Sequence, residues 1–109
     1  ELLIMEKRFD FFTVPELSIE LGTRLRQQRL LKSLSQEALS IQSGLGISTI
    51  QRFEQGKGGT LENFLRIVMA LGLVRELETL LLPMKNSIED VLNLQETSQR
   101  QRVSRKGKV

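Results

Sequence analysis

The sequence predicts an all-α fold: five helices in one small domain, then a short C-terminal helix and a basic tail. Three observations carry this. Apolar residues recur at three- and four-residue spacing through residues 16–82, the period of a helix buried on one side. Ser and Thr stand where helices should begin, and Gly where they should end. Hydrophobic residues make up 39% of the chain while Trp and Tyr are absent, so aliphatic side chains must fill the interior. At 109 residues the chain has room for one modest core. We divide it into an arm (1–15), the helical domain (16–82) and a C-terminal region (83–109).

The arm carries Phe9, Phe11 and Phe12 and is closed by Pro15. Helix one is expected over 16–31, with Leu17, Leu21 and Leu25 as its inner stripe. The same spacing continues to Arg29, where a charge must find a partner. Ser35 is a suitable N-cap for helix two over 36–43, and Gly44 ends it in a position suited to left-handed geometry. Helix three starts near Ser48 and runs to about Gln55. Gly56-Lys57-Gly58-Gly59 breaks the chain, and Thr60 caps helix four. Leu61, Phe64, Leu65, Val68 and Leu71 form the expected buried face of helix four, which stops at Gly72. Helix five is expected over 74–82, dense in Leu and ended by Pro83. Ser87-Ile88-Glu89-Asp90 reads as a capped helix start, with Ile88, Val91 and Leu92 as an apolar edge. From Thr97 onward the chain is polar and basic, and by itself is expected to be disordered.

Composition narrows the function. There is no Cys, which excludes disulfides and thiolate metal sites and suits a reducing cytoplasm. There is no His, so the commonest general base and metal ligand is missing. No enzyme, metal or cofactor is expected. No apolar run approaches the ~20 residues of a membrane span, and we take Met5 as the natural start. The net charge of +3 is unevenly spread. Arg24, Arg26, Arg29, Lys32, Arg52 and Lys57, against Glu37 and Glu54, make residues 24–57 basic, whereas Glu76, Glu78, Glu89, Asp90 and Glu96, against Lys85, make residues 76–96 acidic. The tail is basic again through Arg100, Arg102, Arg105, Lys106 and Lys108. Two surfaces with different partners would follow from this pattern.

Helix three decides what the domain does. Ile50, Phe53 and Glu54 share its inner face, and Ser48, Gln51, Arg52 and Gln55 its outer face. An isolated carboxylate inside would be costly, so Glu54 is expected to pair with Arg29. The outer groups suit base edges in a DNA major groove. Arg52 can fork onto guanine, Gln51 can pair with adenine, and Ser48 or Thr49 fits base edges or thymine methyls. Gln36, in the first turn of helix two, is placed to donate to a phosphate. Gln55 and Lys57 are placed for the backbone on the other side. Gly44-Leu45-Gly46 and Gly56-Lys57-Gly58 lack the remaining residues of nucleotide loops and read as ordinary turns. The surplus leucines Leu77, Leu80 and Leu81 suggest a dimer seam, which would set two reading helices ~34 Å apart.

Leu34-Ser35-Gln36-Glu37, Gly44, Ser48-Thr49-Ile50, Glu54, Gly56 and the run from Leu61 to Gly72 resemble the Xre family, the Cro/cI-type helix-turn-helix. The resemblance covers roughly residues 18–73. It implies a lambda-repressor-like five-helix domain, a recognition helix beginning near Ser48, and a homodimer on a palindromic double-stranded operator. It also implies a cytoplasmic bacterial repressor. Two positions depart: Ser40 replaces the usual small Ala, and Ile47 replaces a polar residue, weakening readout there. More narrowly, the Pro-free loop 56–60, the Leu-rich segment, the acidic stretch and the Arg-Gln-Arg-Val tail resemble HipB-type antitoxins. That implies a HipA-like kinase toxin as partner, and a third small operon protein in some modules. A phage- or stress-type regulator without a toxin, or a protein-interaction scaffold, are the other readings.

Overall fold

The computed structural model describes residues 8–83 and 92–100. The all-α architecture expected from the sequence is the one observed.

Helix α1 spans Val14–Leu31. It begins two residues earlier than the leucine stripe suggests, because Thr13 and Glu16 form a capping box. The Thr13 hydroxyl accepts from Glu16 N, and the Glu16 carboxylate accepts from Thr13 N at 2.8 Å. Pro15 lies inside the first turn, where a missing N–H leaves no bond unmade. Two backbone and hydroxyl donors from Thr13 hold the Glu16 carboxyl below its ordinary range, the backbone N–H being the larger cause.

Helix α2 spans Gln36–Ser43, with Ser35 accepting from Ala38 N and Gly44 closing it at φ 75°. Helix α3 spans Ile47–Glu54 and starts from Gly46 with no side-chain cap. Helix α4 spans Leu61–Ala70 behind the Thr60 cap, whose hydroxyl accepts from Asn63 N at 3.1 Å. α1 packs on α3, and α2 packs on both α3 and α4. The core is Leu25, Leu39, Ile50, Phe53, Ile67, Val68 and Leu71. One expectation fails on α4: Leu61 is 72% exposed, and Ile67, at 1%, takes the buried place. Phe64, Ile67, Val68 and Leu71 keep the i, i+3, i+4, i+7 spacing of one face, and Leu61 falls at its open end.

The fifth helix is also corrected. Val74–Leu77 is a single 3-10 turn, and Leu81 has a left-handed φ of 58°, which ends any helical run before 82. Leu73 and Leu77 reach the core, but Leu80, Leu81 and Leu82 are exposed. The chain divides into two compact units, Glu1–Glu78 and Thr79–Val109. In the second, residues 92–100 are helical, including Thr97–Arg100, where disorder was expected. Thr97 Oγ1 donates to Asn93 O at 2.9 Å, and Arg100 pairs with Glu96 one turn away. The proposed start at Ser87 with Ile88 to Val91, the end of the basic tail and residues 1–4 lie outside the described residues.

In the arm, the Phe9 and Phe12 rings pack tilted at 45° with a centroid distance of 5.3 Å, and the Arg24 guanidinium of α1 lies 5.0 Å over the Phe9 ring. Phe11 points to solvent.

Candidate nucleic-acid interface

Helix α3 is short and has two sharply different faces. Ile50 and Phe53 are buried behind it. Ser48, Gln51, Arg52 and Gln55 are exposed in front, with Thr49 half-buried and Ile47 44% exposed at the edge. Lys57 is exposed in the following loop. Among the described residues neither Arg52 nor Lys57 is engaged in an ion pair, so both cations are available.

The rear of α3 is locked to α1 in two ways. One is close backbone packing: a Cβ placed on Gly22 would lie 2.2 Å from Phe53 O, so only glycine fits this crossing. Gly22 carries no sequence signal of a turn or cap, and sequence reasoning missed it. The other is ionic. Arg29 Nε donates to Glu54 Oε2 at 2.6 Å and Nη2 to Oε1 at 3.0 Å, a bidentate fork. Arg29 Nη1 also donates to Leu34 O at 2.7 Å, which ties the end of α1 to the segment entering α2. Both side chains are almost fully buried. The bond to Glu54 raises the Arg29 pKa further above its ordinary value.

Gln36 does more than the sequence reading assigns it. One N–H of its Nε2 amide donates to Glu54 Oε1 at 3.0 Å, and the second N–H is not used by that bond. Its Oε1 in turn accepts from Gln51 Nε2 at 3.4 Å. The buried carboxylate supplies the reason, because Glu54 Oε1 has lone pairs left after Arg29 and Gln36 is the donor within reach. Among the described residues no buried side-chain polar atom is left without a partner.

The turn between α2 and α3 is held by Ser40, whose hydroxyl donates to Leu45 O across the turn. Alanine could not make that bond, which gives the departure at Ser40 a structural use. The residues assigned to a dimer seam separate: Leu77 is half-buried against the chain's own core, while Leu80 and Leu81 are 60% and 91% exposed. Leu77 is therefore largely spent within the monomer.

A family model described as a helix-turn-helix domain matches residues 20–81. The chain belongs to that family, and by it is a DNA-binding regulator. No curated protein matches the chain. Among solved structures it is similar to the restriction-modification controller protein C.AhdI from Aeromonas hydrophila. The two are 39% identical over 50% of this chain and 85% of that one, with a TM-score of 0.49. Among the described residues no helix is long and apolar enough to cross a membrane.

Proposed function

We propose that this helix-turn-helix protein is a sequence-specific transcriptional repressor that inserts α3 into a DNA major groove. The observation that carries the reading is the exposed polar stripe Ser48, Gln51, Arg52 and Gln55 on a helix whose rear is fixed by Gly22, Phe53 and the Arg29–Glu54 fork. Arg52 reads guanine, Gln51 adenine, and Ser48 and Thr49 nearby edges or methyls. Gln55 and Lys57 hold the phosphate backbone, and Ile47 supplies apolar contact at the groove wall. In this reading the protein works as a homodimer on a palindromic site, with the exposed Leu80 and Leu81 as the surface left to build the seam.

The test is binding to duplexes from its own promoter, measured by fluorescence anisotropy at stepped salt. Affinity should fall steeply as salt rises, since phosphate contacts release counterions. Arg52→Ala should cost roughly 1–3 kcal/mol and relax one operator position. Failure to bind that DNA even at low salt would favour the scaffold reading.

The narrower role, a HipB-like antitoxin that also represses its own operon, is supported by the Pro-free loop 56–60 and the acidic and basic blocks toward the C-terminus. Co-purification of the untagged product of a neighbouring kinase-like gene tests it. Its absence would leave a regulator without a toxin.

A further inference from the structure

Two leucines that the sequence assigns to buried faces are left uncovered. Leu21 on α1 is 38% exposed, and Leu61 at the start of α4 is 72% exposed. Both line one cavity of about 380 Å³, walled also by the rear of α3 at Phe53, the loop at Gly58 and Gly59, and α4 at Phe64. The Phe53 and Phe64 rings stand 6.2 Å apart, tilted at 47°. Drawing the helices together cannot close this space. α1 and α3 already meet main chain to main chain at Gly22, and the Phe53 ring already rests on Gly59, where an added Cβ would lie 2.5 Å from it. The apolar wall therefore stays wet, and any apolar molecule that displaces that water gains free energy.

The lining also selects the kind of molecule. No residue in the wall carries a charge, so an ion would lose its hydration with nothing to replace it. The polar side chains are two hydroxyls, Ser18 and Thr60. The Thr60 oxygen already accepts from Asn63 N at 3.1 Å, which leaves its O–H to donate. The volume falls at the small end of the range for small-molecule sites, roughly 300–1,000 Å³. A protein partner fits less well, because a lining without charge gives it nothing to fix its orientation. We propose that this cavity binds a small, neutral, largely aromatic molecule with one polar atom at its edge. The site does not depend on α3 entering DNA, although it shares Phe53 with the support of that helix.

The probe is N-phenyl-1-naphthylamine, a neutral aromatic amine whose fluorescence rises when it leaves water. It is titrated into the full chain, in parallel with its charged analogue 8-anilino-1-naphthalenesulfonate. Ser18→Phe puts a ring into the cavity from a half-buried helical position, and Leu21→Glu puts a charge on its wall. Ile41→Gln is the control: it changes an apolar residue of α2 that is 75% exposed and lies outside the cavity. Thermal melting checks that each variant is folded.

The neutral probe should saturate at one molecule per chain, and the sulfonate should bind about tenfold more weakly or worse. Ser18→Phe and Leu21→Glu should each weaken the neutral probe by about tenfold or more, whereas Ile41→Gln should leave its affinity unchanged. In the wild type, nuclear Overhauser contacts should join the probe to the ring protons of Phe53 and Phe64, which decides the location even if a cavity variant unfolds. Binding that does not saturate, or equal losses in Ile41→Gln and the cavity variants, would mean an adventitious additive only and would overturn the site. Equal affinity for the sulfonate would overturn the neutral class. Probe emission that falls as the chain is concentrated, with a sedimenting dimer that Leu21→Glu dissociates, would show a second copy covering the cavity and refute the proposal.

Discussion

Arg29 and Glu54 differ from the other ion pairs of this chain in what their loss would leave behind. Removing Arg29 strands a carboxylate whose side chain is 4% exposed, with Gln36 as its remaining donor. Arg29→Met should therefore destabilise by about 3–5 kcal/mol. Arg66→Met, which breaks an exposed pair with Glu62, should change stability by less than about 1 kcal/mol. Urea melts of the two variants check the contrast, and equal midpoints would refute it. Ser33 offers a gain. It follows α1 with φ 57°, a left-handed conformation in which a Cβ costs roughly 1–2 kcal/mol. Ser33→Gly should recover part of that and raise the melting temperature, provided the bond from Ser33 N to Leu30 O persists. Arg29 itself was readable from the sequence because the leucine stripe runs straight into it. Gln36 was not, because its orientation depends on a carboxylate eighteen residues away that only the fold brings near.

Among the helices, those with their own chemical stops were the readable ones. α2 has Ser35 before it and Gly44 after it, and its bounds follow from those two residues. α1 shows how a true signal can be overlooked. Pro15 reads as an end to the arm, yet Thr13-x-x-Glu16 is a capping box around it, and the helix starts at Val14. The segment after Gly72 shows the opposite error. Its leucines are dense but not periodic against any surface: only Leu73 and Leu77 find the core, and the chain leaves helical geometry by Leu81. The capping box also makes a pH prediction. The Glu16 pKa is lowered in the folded chain, so its contribution is present above the ordinary glutamate pKa of 4.5 and is lost as pH falls through the folded value. Protection of the first-turn amides of α1, taken relative to the intrinsic exchange rate at each pH, should therefore fall below that range, and Glu16→Gln should remove the dependence. An unchanged exchange profile in the variant would show that another carboxylate is responsible.

For the molecule as a whole, the crossing of α1 and α3 matters most. Gly22→Ala would push a methyl group into the Phe53 carbonyl, a backbone atom that cannot rotate away. It should cost at least roughly 1–3 kcal/mol and weaken binding to every DNA sequence together, because α3 would have to back off its support. A melt and a binding isotherm on the same variant test this, and loss of affinity for one base only would contradict it. The basic stretch 24–57 and the acidic stretch beginning at Glu76 give the chain a polarity that the sequence shows without any structure. What the sequence could not show is how close two main chains come at a glycine with no turn to mark it. That closeness has a mechanical consequence. Where main chain is pressed against main chain at Gly22, α3 cannot move toward α1, and the buried Ile50, Phe53 and Glu54 side chains fill the rest of the contact behind it. With α3 as the reading helix proposed above, a duplex whose groove does not suit it would have to bend or twist to fit, and the energy of doing so would select sites that no side chain touches.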